Sequence, residues 1–470
     1  PQPQQRLQHP QLSALRVEHQ LQAHYSVDKT VRFLGEAATA TTTTTTTTTT
    51  NAPFTTLILW AFDGNTNDYS GVYNGVPLNS PTYVSPGYTG YGSKIYFQGA
   101  LNQSVRVTYP VLNLAYTSLS IEAWIYPFNV STNADDSIFS QCQALATDQC
   151  LHFVLASGYL RMRFYNDGSQ GVTLFQPNRW YHIACVYDYT LTAQIVYVNG
   201  VLDGSYSPSG PYQGTSGLFE IGIATVNYNI VTQPFNGYMD QVLFTPRAKN
   251  ATEILNDATL TAYYSFDGGL YLDSGPLWIN GTGVSVNRTT GRVNQALSFA
   301  TSSSYFQATG FTLLGTVNQS FSIALWIKPT TVSGGATIVH TSGLTTRTGW
   351  CIPMIGLSSS GNVITQNWNN GLVSVTGPVL SVNVWTHIVE TYSFTNGVRM
   401  YVNGALYGAT TSFSYYASGT PNTITLGNPL SGSACASSPV LPGQFYGAMD
   451  EFRLYSRELN STDVYSLAHP

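Results

Sequence analysis

From Leu57 onward the chain alternates apolar and polar residues in runs of about five to eight, each broken by Gly, Pro, Asn or Ser. Leu160–Tyr165, Ile195–Val198, Val398–Val402 and Ile424–Leu426 are examples. A period of two sends successive side chains to opposite faces, so these runs predict the strands of an antiparallel β-sandwich. Asn199-Gly200 and Asn403-Gly404 each fall between two such runs. Asn and Gly tolerate positive φ at both central turn positions, which predicts a tight hairpin at each. Helical periodicity is nearly absent. Thr252–Asp257 and Ser461–Leu467 predict one helical turn apiece.

The strand pattern occurs twice. LILWAFDG at Leu57–Gly64 answers LTAYYSFDG at Leu260–Gly268, and SIEAWIYP at Ser120–Pro127 answers SIALWIKP at Ser322–Pro329. WYHIACVYD at Trp180–Asp188 answers WTHIVETYS at Trp385–Ser393, and YVNG at Tyr197–Gly200 answers YVNG at Tyr401–Gly404. GYMDQVLFTPR at Gly237–Arg247 answers GAMDEFRLYSR at Gly447–Arg457. The expected organisation is two all-β sandwiches, residues 57–257 and 258–470, after a tail (1–36) and a linker (37–56). Two diverged copies also serve as a small alignment.

The tail is rich in Gln, His and Pro. Only Tyr25–Leu34 alternates as a strand would, with Tyr25, Val27, Val31 and Phe33 on one parity. The linker holds an unbroken run of threonines: Thr41, Thr42, Thr43, Thr44, Thr45, Thr46, Thr47, Thr48, Thr49 and Thr50. The β-branch disfavours helix, and a run with nothing to bury stays extended, so it reads as an O-glycosylated stalk or, at the least, a spacer.

Composition narrows the class. Only 9% of residues are charged and the net charge is −5, against about 25% charged in ordinary soluble chains. Neutral polar groups, with attached sugar, must then keep the surface soluble. The 18 Lys and Arg form no basic stripe for nucleic acid. No apolar run is long enough to span a membrane. Pro1 opens the chain without a charged-then-apolar leader, which reads as a mature form or a fragment. Asn-x-Ser/Thr sequons start at Asn102, Asn129, Asn250, Asn280, Asn287, Asn318 and Asn460. Of five cysteines, the economical pairing joins Cys142 to Cys150 and Cys351 to Cys435, leaving Cys185 as a buried thiol. None has the spacing of a zinc motif, which argues against zinc. Sequons, cysteine pairs and low charge together favour an extracellular glycoprotein.

The ordered landmarks resemble the laminin-G-like jelly-roll family of the concanavalin A-like lectin/glucanase superfamily. They are Phe-Asp-Gly and Asp-x-Ser-Gly (Phe62–Gly64, Asp68–Gly71; the second copy has Phe266–Gly268, then Asp273-Ser274-Gly275), Ser-x-x-x-Trp-x-x-Pro (Ser120–Pro127, Ser322–Pro329), Trp-x-His before the hairpin (Trp180/His182, Trp385/His387), and Gly-x-Met-Asp with a later Arg (Asp240/Arg247, Asp450/Arg457). The resemblance implies two stacked antiparallel sheets per copy, with opening and closing strands paired. It implies glycan binding, adhesion, matrix assembly or an accessory role beside an enzyme, and does not choose among them.

Related glucanases carry Glu-x-Asp-x-x-Glu on one strand, and this chain does not. Glu122 aligns with Ala324, Glu220 with about Thr425, and Glu390 with Cys185, so no acid outside the landmarks is shared and no catalytic residue is expected. The shared acids are Asp63/Asp267, Asp68/Asp273 and Asp240/Asp450. Asp63, Asp240, Asp267 and Asp450 suit either a structural calcium, which many relatives hold, or main-chain capping, the favoured reading. His182 and His387 read as structural hydrogen-bonding groups in their strands. Trp124, Trp180, Trp326 and Trp385 read as core. Tyr88, Tyr91, Tyr212, Trp368, Tyr415 and Tyr416, unmatched between copies, are the candidates for sugar stacking or an interface. The expected function is a non-catalytic structural or adhesive extracellular glycoprotein. Its partner is expected to be itself, polymerising through Tyr25–Leu34, or another matrix or surface glycoprotein. A glycan-binding lectin is the alternative and a glycoside hydrolase the third reading.

Overall fold

The structure, a computed structural model, describes residues 57–470 except 209, 269–270, 347–348, 431–434 and 436–437. The expectations for the tail, the Tyr25–Leu34 strand and the threonine run lie outside the described residues.

Two antiparallel sandwiches follow one another. In the first, one sheet runs in the order Val201–Tyr206, Ala193–Val198, Tyr181–Asp188, Leu119–Pro127, Gly237–Thr245, Lys94–Phe97 and Thr82–Val84, and the opening strand Ile58–Trp60 also pairs with the closing strand Gly237–Thr245. The facing sheet is centred on Cys150–Ala156, Asp135–Cys142 and Phe219–Ile221. The second sandwich repeats this around Phe321–Pro329, with Leu260–Tyr264 pairing with the closing strand Gly447–Tyr455. Inward residues such as Ile121, Ala123, Ile125, Phe153 and Phe219 fill the first core; Ile323, Leu325, Ile327, Met354 and Ile388 fill the second.

Both Asn-Gly hairpins form. Asn199 and Gly200 have φ of 52° and 80°, and Asn403 and Gly404 have 49° and 84°, values that match the twist of the flanking strands. The helices are longer than expected. Helix α1 spans Ala251–Thr259 and α2 spans Ser461–Ala468, each opened by an Asn side chain that accepts two backbone N–H groups in a capping box. Burial explains the extra length. Ile254 and Ala258, like Val464 and Ala468, sit against the outer face of a sheet whose strands are apolar on both sides.

Candidate functional site

The shared aspartates organise one loop per copy. Asp63 accepts the N–H of Ser93 at 2.7 Å and Asp240 that of Tyr88 at 2.6 Å. In the second copy Asp267 accepts Gln295 N–H at 2.9 Å, and Asp450 accepts Arg292 and Val293 N–H at 2.7 and 3.0 Å. Asp240 and Asp450 also accept the next residue's N–H, Gln241 and Glu451, at 2.9 Å. Burial pushes Asp240 well above the usual carboxylate range and Asp450 up to about 7. Each of these carboxylates accepts main-chain N–H groups, as a main-chain cap does. Asp68 accepts main-chain N–H groups of its own turn, and Asp273 those of Gly275, Ile279 and the strand residue Tyr263.

Trp124 and Trp326 are buried as expected, but from the outer face of their sheets. Strand parity turns Ile121, Ala123 and Ile125 inward, so Trp124 points outward, and Trp326 does the same in the second copy. Trp124 is buried instead by the loop that Asp240 holds: the Tyr88 ring stacks on it at 3.6 Å, 15° from parallel. Trp326 is covered by the Arg292 guanidinium at 4.7 Å. Trp180 and Trp385 are half-buried. His182 and His387 lie against Trp124 and Trp326, at 5.2 and 5.1 Å. Burial pushes both imidazoles down to about 3. The hydrogen bonds expected of them run through their backbone N–H groups, to Asn199 and Asn403. Neither ring nitrogen of His387 has a hydrogen-bond partner among the described residues.

The loop aromatics also sort differently. Tyr212 and Tyr415 are a matched pair, both buried, their hydroxyls donating to the carbonyls of Gln141 and Leu314. They are core. Tyr88 is nine-tenths buried, Tyr91 and Trp368 pack partly against the second core, and Tyr416 is exposed.

What the structure does assemble is a row that sequence reading missed. On the outer face of the first sandwich Tyr96, Tyr238 and Tyr126 stand directly opposite one another on adjacent strands, with ring centroids 5.5 and 5.7 Å apart. Phe128 adds to the row at 4.8 Å from Tyr238, and Trp180 at 5.4 Å from Tyr126. Tyr88 continues it at 5.4 Å from Trp180. Lys94 lies over Tyr238 at 4.8 Å. Tyr96, Tyr126, Phe128, Trp180 and Tyr238 are all half-buried, leaving ring surface in contact with solvent. The row ends at a cleft of about 600 Å³ between the sandwiches, walled by Tyr88, Lys94 and Trp180 on one side and Thr312, Gln319 and Pro421 on the other. In the second copy the opposed positions are Ser298, Ala448 and Lys328, and no aromatic row exists there. The signal in the sequence was parity: Tyr96 in KIYF, Trp124, Tyr126 and Phe128 in WIYPF, and Tyr238 in GYMD alternate with inward apolar residues.

The family match follows the same repeat. The sequence profile of the laminin-G-like branch fits residues 98–255 and 300–465. The chain belongs to the concanavalin A-like lectin/glucanase superfamily. No curated protein matches it. Among solved structures, domain 4 of AbnA, a GH43 extracellular arabinanase from Geobacillus stearothermophilus solved with arabinotriose, is 21% identical, over 45% of this chain and 98% of that one, with a TM-score of 0.32. The botulinum neurotoxin serotype G binding domain is 19% identical over 44% of this chain, with a TM-score of 0.34, and only 50% of its length is matched. Likenesses of this size add nothing beyond the fold.

A superfamily that includes glucanases makes the buried acids worth placing. In this laminin-G-like chain Glu122 lies under α1, its Oε1 2.5 Å from the Lys249 ammonium, which also meets Asp257 at 2.7 Å. Burial pushes the Glu122 carboxyl up and the ammonium opposes it. The second copy replaces this trio with Ala324, Leu459 and Leu467, and the same backbone bond, Lys249 or Leu459 N–H to a strand serine, survives in both. The fold therefore does not depend on the ionic trio. Glu220 is buried and paired with Arg106 at 2.6 Å. The cysteines are joined Cys142–Cys150 and Cys351–Cys435, and Cys185 is a buried free thiol. All seven sequon asparagines are exposed. No helix among the described residues is long and apolar enough to cross a membrane.

Proposed function

We propose that this chain is a non-catalytic, glycan-binding adhesive protein of the extracellular space. The sugar is laid on the row Tyr96–Tyr238–Tyr126, flanked by Phe128 and Trp180, and its end enters the cleft between the sandwiches. One observation carries the reading: solvent-touching aromatics line up on adjacent strands in one copy, while the other copy has Ser298, Ala448 and Lys328 at the same stations. A scaffold requirement would have kept the rings in both. Tyr rings offer flat apolar faces to pyranose C–H groups while their hydroxyls stay wet. Glu122 and Glu220 are buried and held in ion pairs with Lys249 and Arg106, which supports a binding role over hydrolysis. Exposed sequons and two disulfides support the extracellular setting.

The test is a glycan array with the full chain, followed by titration of the best ligand against Tyr238→Ala and Trp180→Ala. Each stack is worth about 0.5–1.5 kcal/mol, so each change should weaken binding by roughly two- to tenfold and the pair by more. A flat array, or ligands whose affinity ignores both changes, would overturn the proposal.

A further inference from the structure

We propose that each cysteine pair, with a histidine beside it, is a two-state site: a disulfide when oxidised, and a Cys₂His site for a soft divalent metal of the zinc class when reduced. In the first sandwich the His152 Nε2 lies 2.9 Å from Cys142 Sγ and 2.8 Å from Cys150 Sγ. In the second, His340 Nε2 lies 3.9 Å from Cys435 Sγ, with Cys351 in the same group. Within each group the ligand atoms all fall within 4.8 Å of one another.

The two groups are not simple copies. Cys150 and Cys351 both open the same strand, facing Cys142 in one sandwich and Ser342 in the other. The next outward cross-strand pair is Ser140 with His152 in the first copy and His340 with Pro353 in the second. The imidazole has thus changed strand, and the second sulfur comes from Cys435 on a distant loop instead of Cys142. Two of three members moved, yet the set of two sulfurs and one imidazole nitrogen is kept. Incidental packing gives no reason for that. The donor set suits zinc, which takes thiolates and neutral imidazole and, with three protein ligands, keeps one position open. His152 is buried. It also lines a cavity of about 520 Å³ that includes Asp135 and Asp167 beside Arg161 and Arg163. Spacing along the chain hid the site, since its ligands meet across strands.

The chemistry balances. A dithiol reductant gives two electrons and two protons to one S–S bond, leaving two thiols and its own disulfide. The metal then displaces the two thiol protons and binds both thiolates and the imidazole.

The experiment uses the full chain, reduced with dithiothreitol, freed of reductant without air, and titrated with Co²⁺ and then Zn²⁺. The expected result is a thiolate-to-cobalt absorption band saturating at two metals per chain and bleached by Zn²⁺. His152→Ala and His340→Ala should each remove one equivalent, and the oxidised chain should show no band. The proposal is overturned by absence of the band, by stoichiometry indifferent to both histidine changes, by equal binding to the oxidised chain, or by loss of the far-UV sheet signal on reduction, since the ligand sets exist only in the folded sandwiches.

Discussion

Glu390 shows what a single buried group imposes. It sits inside the second sandwich, on the inward parity of Ile388 and Tyr392, where the first copy has Cys185. Its Oε1 accepts from Asn367 Nδ2 at 2.9 Å, while its Oε2 and the Asn367 Oδ1 have no hydrogen-bond partner among the described residues. Burial pushes the carboxyl well above its ordinary 4.5. With the folded value raised, its stabilising contribution is complete below the unfolded pKa and drains away as pH climbs toward the folded one. Glu390→Gln keeps the acceptor for Asn367 Nδ2 and cannot ionise. Its gain at pH 7 should be about 1–3 kcal/mol and should vanish near pH 4. Urea denaturation across that range checks it; a parallel pH profile for both proteins would refute it. The sequence did expose the Glu390–Cys185 mismatch, but inward placement needs the register. The same limit applied to Trp124 and Trp326, which residue type assigned to the core and strand parity turned outward.

At the scale of elements, the hairpins were legible because Asn-Gly chemistry is local. The helices were legible as single turns, Thr252–Asp257 and Ser461–Leu467, and the structure adds the capping boxes of Asn250 with Glu253 and Asn460 with Asp463. Their length came from tertiary burial, which no local pattern reports. The two copies then offer a natural exchange beneath α1. The first holds Glu122, Lys249 and Asp257; the second holds Ala324, Leu459 and Leu467. Breaking one member strands the others: Glu122→Ala alone should cost about 3–5 kcal/mol. Converting all three, Glu122→Ala with Lys249→Leu and Asp257→Leu, removes the desolvation penalty together with the pairing. Stability should then return to within about 1 kcal/mol of the parent, or exceed it. Denaturant midpoints of the parent, single and triple variants give the comparison. A triple variant as unstable as the single would mean that the trio does more than hold α1 down.

For the whole molecule, the landmark repeat made two sandwiches readable, because each landmark answers a local demand of the fold. How they dock was not readable, since the contacts fall on residues the copies do not share. The loop held by Asp240 lays Tyr88 on Trp124, and both join the apolar cluster of the second sandwich with Phe311 and Leu314. Beside it the Thr312 N–H donates to Thr89 carbonyl at 3.1 Å. A side chain at Gly90, where φ is +87°, would meet Thr312 Oγ1 at 2.6 Å and the Gly310 carbonyl at 2.7 Å, so only glycine allows this approach. Tyr69 and Trp278 pack at 4.0 Å in a second contact. Tyr88 thus joins three things: the aspartate that positions its backbone, the tryptophan it covers, and the wall of the cleft at the end of the aromatic row. Tyr88→Ala should remove about 3 kcal/mol of shared packing. Each sandwich has its own core, so the loss should appear as uncoupling. Calorimetry should resolve one parental transition into two, the lower belonging to the sandwich that loses its Trp124 cover. The glycan proposed for the row should bind more weakly as the cleft wall opens. A single transition at the parental temperature would show that the sandwiches are held together through Tyr69–Trp278 and the short link at α1, and that Tyr88 serves the aromatic row alone.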